Sequence, residues 1–91
     1  MYTVYILYSE LLSKYYVGFT SMSVSDRLVR HMQDHGGFTS KAKDWEILHT
    51  EVYADKRKAL QIEKIIKKRG ARRYLDQKME LTYDKLMTLF G

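Results

Sequence analysis

Two tyrosines, an arginine, a histidine and a glutamate stand in this chain in settings that chemistry can use. Tyr5 lies within Thr3-Val4-Tyr5-Ile6-Leu7-Tyr8 and Tyr16 within Tyr15-Tyr16-Val17-Gly18-Phe19, two β-branched and aromatic runs that read as strands. Arg27 and His31 fall one turn apart on a helical stretch, away from the side that carries Leu28 and Met32. Arg27 can fork two donors onto phosphate oxygens, or pair with Asp26, Asp34 or Glu63. His31 can reach the same anion or exchange a proton, or it can stand exposed. Glu63 sits at the edge of an apolar helical stripe. It can supply the one carboxylate that a Mg²⁺ ion needs beside water and phosphate, or pair with Lys67 at i+4 for ~0.3–0.5 kcal/mol. A phenol, with its ordinary pKa near ~10, acts as a base only beside a cation; the alternative is that both tyrosines are strand aromatics with satisfied hydroxyls. Groups of these types are the ones that can hold an anion, neutralise charge that builds on it and move protons.

The elements that must position them follow from local pattern. Ser9 to Lys14 closes a hairpin between the first two strands, so each strand offers its tyrosine at a comparable place. Ser23-Val24-Ser25-Asp26 supplies cap candidates and early negative charge for the first helix. Asp34 to Lys41, with Gly36-Gly37, reads as a loop. Trp45 to Tyr53 forms a third strand, and Asp55 caps a second helix that Gly70 ends. Ala59, Ile62 and Ile66, widened by Ile65, should cover one face of the sheet. Ala71 to Lys78 and Tyr83 to Phe90 are two further short helical patterns. The expected fold is α+β: a small, three-stranded, mainly antiparallel sheet flanked by helices in the order β-β-α-β-α-α. Residues 1–91 form one domain, with 71–91 as a C-terminal helical extension.

Composition narrows the partners. Sixteen Lys and Arg against eleven Asp and Glu leave a formal charge of +5, which favours an anionic partner, nucleic acid before a membrane surface. No cysteine exists for a disulfide or thiolate site. His31 and His35 have the spacing of two zinc ligands, but the third would have to be His49 or a distant carboxylate. No stretch approaches the ~18 apolar residues of a membrane span, and Met1 leads straight into a strand pattern, so a cytoplasmic protein without a membrane partner is expected.

Thr3-Val4-Tyr5 and Tyr16-Val17-Gly18, with Arg27 and His31 on the next helix and Glu63 on a later one, resemble the ordered motif set of the GIY-YIG nuclease superfamily. The resemblance runs over roughly residues 2 to 70 and is strongest to short, single-domain members. It implies a phosphodiester-cleaving endonuclease in which Glu63 holds Mg²⁺ or Mn²⁺, Arg27 stabilises the phosphate, and Tyr5 or Tyr16 with His31 handles protons. Thr3 replaces the leading glycine of the family pattern and Val17 the isoleucine. The asparagine that many members carry beyond the metal glutamate has no counterpart, since the chain contains none.

Lys41 and Lys43 in the loop, and Lys67, Lys68, Arg69, Arg72 and Arg73 near the end of the second helix, are the candidate contacts to nucleic acid. DNA is expected before RNA. With no added recognition domain, a branch, flap, nick or single strand in a repair or recombination setting is the expected target rather than a long base sequence. The competing expectation is a non-catalytic nucleic-acid-binding module or an accessory subunit of a larger repair enzyme. The chain is expected to be monomeric, with a weak homodimer through Leu86, Leu89 and Phe90 or a larger repair partner as alternatives.

Overall fold

A computed structural model describes residues 1–33 and 41–79, and for residues 31–33 the backbone alone. The strands form where β-branched and aromatic residues cluster: β1 (Tyr2–Ser9), β2 (Lys14–Thr20) and β3 (Glu46–Tyr53). They build an antiparallel sheet in the order β2-β1-β3. Helix α1 (Val24–Gln33) follows the hairpin, α2 (Lys56–Arg69) follows β3, and α3 covers 71–79, giving the expected α+β order. Trp45 lies just outside β3 and is buried, so its ring packs as a loop anchor rather than as a strand residue.

β1 is covered on both faces, and Val4, Tyr5, Ile6 and Leu7 are at most 1% exposed. Because side chains alternate along a strand, these four feed two separate cores. Val4 and Ile6 join Val17, Ala59, Ile66, Ala71 and Tyr74 beneath α2 and α3. Tyr5 and Leu7 join Ala42 and Trp45 on the other face, with Tyr16, Val24 and Leu28 packed against them. Ile65 proves exposed at 42%; α2 turns only the Ala59–Ile66 line fully toward the sheet, with Ile62 beside it.

Local chemistry fixes the ends. Ser23 Oγ accepts from the Asp26 amide and caps α1; Asp55 accepts from the Arg57 amide and caps α2. Gly70 closes α2 by donating to the Ile66 carbonyl, and its own carbonyl accepts from Tyr74, so one residue ends α2 and begins α3. The corner requires φ +93°, a conformation open to glycine; the space around it is empty, so backbone freedom and not size explains the residue. The hairpin turn is tied down from afar: buried Ser9 donates to Asp44 at 2.6 Å, and the second Asp44 oxygen accepts from the Leu11 amide. Between β1 and β3 the register slips at Ile6/Leu7, which leaves Leu48 as an extra residue on β3.

Ala71 and Tyr74 are core residues, so α3 packs as part of the sheet's cover. The pattern Tyr83 to Phe90 and most of the glycine loop lie outside the described residues. No described helix is long and apolar enough to cross a membrane.

Candidate active site

Tyr5 is the centre of the site, and the strand register explains why. Tyr5 pairs with Gly18 across the hairpin. Its ring lies over that glycine so closely that a Cβ on Gly18 would sit 2.3 Å from the Tyr5 ring and from its hydroxyl. The missing side chain is therefore a channel through which Tyr5 reaches across β2, an outer strand of the sheet. The group that uses the space is the chain's own tyrosine.

At the far side of that channel Tyr5 meets three of the expected partners. Tyr16 lies on the same face, its ring centroid 6.4 Å from that of Tyr5. Half-buried Arg27, from α1, is hydrogen-bonded to the Tyr5 hydroxyl, and the charge of Glu63, from α2, acts on the same hydroxyl. α1 and α2 cover opposite faces of the sheet, so the set meets at the edge of β2, where the two faces come together.

Burial raises the pKa of Tyr5, and the neighbouring Tyr16 and Glu63 add to the rise. The Arg27 hydrogen bond and charge oppose this without reversing it. At neutral pH Tyr5 is accordingly a neutral phenol that accepts from Arg27 and keeps a proton to donate.

Glu63 has a side chain only 17% exposed, with Lys67 at 3.7 Å as its ion-pair partner at i+4. It borders an open depression of about 820 Å³ that Lys56, Arg57 and Lys64 also line. Among the described residues no cluster of three His, Cys, Asp or Glu side chains gathers to form a protein-only metal cage. One half-buried carboxylate facing open space fits Mg²⁺ or Mn²⁺, which keep several waters and take a substrate phosphate as ligand. It does not fit zinc, which wants three or four protein ligands.

His31 has its backbone in α1, one turn beyond Arg27; its side chain lies outside the described residues. The basic candidates divide into two groups. Lys41 and Lys43 are exposed on either side of Ala42, which is buried in the Tyr5 core. Lys67, Lys68, Arg69, Arg72 and Arg73 are exposed where α2 passes into α3, on the opposite face.

A second polar cluster escaped the sequence reading. Glu51 of β3 accepts from Tyr53 at 2.7 Å and Tyr74 at 2.5 Å, and it pairs with His49 at 2.9 Å and Lys78 at 3.5 Å. Burial alone would raise its pKa, but bonds from Tyr74, Tyr53 and His49 and the charge of Lys78 bring it down to about 2. Tyr53 is pushed up to about 12 by burial and by Glu51. The available signal was the alternation His49-Glu51-Tyr53, which puts three polar side chains on one strand face.

The model of the GIY-YIG catalytic domain matches residues 1–76, which includes α3 as far as Tyr74 and its neighbours. No curated protein and no solved structure matches.

Proposed function

Because the chain belongs to the GIY-YIG catalytic-domain family, a family of nucleases, we propose that it is a metal-dependent endonuclease that hydrolyses phosphodiester bonds in DNA. GIY-YIG nucleases generally depend on a divalent metal and act on nucleic acid. The observation that carries the reading is Tyr5 laid through the gap at Gly18, bonded to Arg27 and within the field of Glu63. A buried phenol, a guanidinium and a carboxylate converging on one strand edge make an arrangement for a phosphate rather than for core packing.

In this reading Glu63 is the residue that holds Mg²⁺ or Mn²⁺. Held there, the ion would supply charge neutralisation at the phosphate and a bound water of lowered pKa. Arg27 donates to non-bridging phosphate oxygens, a bidentate contact that lysine cannot reproduce. Tyr5 holds Arg27 in place and donates its retained proton to an oxygen of the reacting group. Tyr16, and His31 one turn beyond Arg27, are left to take the proton of the attacking water. The exposed cations on both faces position the backbone of the nucleic acid. The target in this reading is a branch, flap, nick or single strand, in repair or recombination, in the cytoplasm.

The test is cleavage of labelled plain, nicked, flapped, branched and single-stranded DNA and RNA with Mg²⁺ or Mn²⁺, comparing the wild type with Glu63→Ala while binding is followed in parallel. Metal-dependent cutting that vanishes in Glu63→Ala with binding retained is the expected outcome. Binding to nucleic acid with no cutting of any substrate would instead establish a non-catalytic binding module.

A further inference from the structure

Outside the Tyr5 site, the corner between α2 and α3 forms a shallow, open groove of about 610 Å³. Tyr15 lines it from β2, Arg69, Gly70, Arg72 and Arg73 line it from the corner, and Asp76 is its one acidic group. Arg69 is held in place by a bond to Gln77 at 3.1 Å, and Arg72 and Arg73 are exposed. Tyr15 and Tyr16 are successive residues of an outer strand, so their rings fall on opposite faces: Tyr16 with Tyr5, Tyr15 with the core beneath α2 and α3. Two independent paths give the spacing between groove and site. Along β2, Tyr15 is three residues from Gly18, roughly 10 Å at the rise of a strand. Along α2, Gly70 is seven residues from Glu63, again roughly 10 Å at the rise of a helix. Lys67 lies between them on the helix, within 3.7 Å of Glu63.

We infer that this groove receives an unpaired nucleotide next to the phosphate held at the Tyr5 site, with Tyr15 against the base and Arg72 and Arg73 on the flanking backbone. The inference rests on the nuclease reading for the position of the scissile phosphate, and it names a substrate class: nucleic acid with a single-stranded segment at the cut. An aromatic ring beside three arginines is the combination that binds single strands without regard to sequence, because every base has a face to stack and every nucleotide a phosphate. A base still paired within a duplex keeps its faces stacked on its neighbours, so the groove discriminates by structure.

The test uses Glu63→Gln as a non-cutting background and measures binding of a labelled single-stranded oligonucleotide and of a blunt duplex of the same sequence. Tyr15→Leu, which keeps apolar packing against the core, should weaken single-strand binding about 5- to 100-fold. Duplex binding should stay within about twofold. Arg72→Ala/Arg73→Ala changes only exposed side chains, and should flatten the dependence of log K on log salt by roughly 0.7 per lost contact on the single strand. Equal losses on both substrates, or unchanged single-strand binding in both variants, would overturn the inference. The two readings separate cleanly. Tyr15-dependent single-strand binding by a wild type that cuts nothing would keep the groove and remove the nuclease. Glu63-dependent cutting with single-strand binding indifferent to Tyr15 and both arginines would keep the nuclease and remove the groove.

Discussion

Glu51 and Glu63 are both half-buried carboxylates with tyrosines and cations nearby, yet the protein treats them in opposite ways. Glu51 is saturated: two phenols, an imidazole and an ammonium surround it, and its pKa falls to about 2. Glu63 has a lysine at 3.7 Å on its own helix as its ion-pair partner, and open space beside it. A carboxylate whose acceptor sites are filled by the chain is a joint, here fastening α3 to β3. One with a single ion-pair partner among the described residues, at the edge of a depression, would be available to a metal or a phosphate-bound water on the proposed function. Degree of satisfaction, more than burial or residue type, separates the two.

That contrast is open to direct attack. The largest effect is expected at Glu63: Glu63→Gln should lower the cleavage rate about 10³-fold, the loss of several kcal/mol of transition-state charge stabilisation. Its thermal midpoint should stay close to wild type, since the ion pair it loses among the described residues is an i,i+4 contact with the exposed Lys67. Thermal melting of the same preparation checks both halves of the statement.

Glu51→Gln should do the reverse, leaving the Tyr5 constellation in place and lowering stability by about 2–3 kcal/mol at neutral pH. The sign of its pH dependence follows from the depressed pKa. The folded carboxyl titrates at about 2 against 4.5 for the ordinary group, so its contribution is fully present above pH 4.5. It is lost as pH falls from there toward 2. Urea unfolding at a series of pH values should show that loss in the wild type and its absence in Glu51→Gln.

Gly18→Ala comes next in size. Its new Cβ would overlap the Tyr5 ring and hydroxyl, so Tyr5 or the hairpin must move. A cost of about 1–3 kcal/mol is expected, with loss of the Tyr5–Arg27 bond. A crystal structure of the variant, or the melting temperature and cleavage rate together, would show it. Smallest is Lys67→Ala, about 0.3–0.5 kcal/mol in stability. A larger loss in chemical denaturation would mean that Glu63 is more firmly held than the contrast with Glu51 allows.

Much of this was legible before any coordinates. Tyr5, Tyr16 and Arg27 stand at spacings that ordinary strand and helix periods bring near one another, Glu63 was singled out through the family resemblance, and Ser23, Asp55 and Gly70 punctuate the helices by local chemistry alone. Long-range pairing was the illegible part. The Glu51 cluster needs a sheet register with a slip at Ile6/Leu7 and a helix folded back onto β3. Asp44 serves a turn more than thirty residues earlier, which no local pattern announces. Ile65 looks like stripe and is exposed, because how a helix rolls on its sheet is set by the opposing surface. The need for a glycine at position 18 shows only in its pairing with Tyr5.

That pairing ties chemistry to the order of assembly. Tyr5 reaches its position only when β1 and β2 meet with Tyr5 opposite Gly18. A slip of one residue would set Tyr5 against Val17 or Phe19, whose side chains close the passage. A hairpin that forms in the wrong alignment is thus not a weakened site but a silent one. On the proposed function the glycine would act as a checkpoint: chains with misaligned strands should not cut, and nuclease activity should report correctly aligned strands rather than total protein.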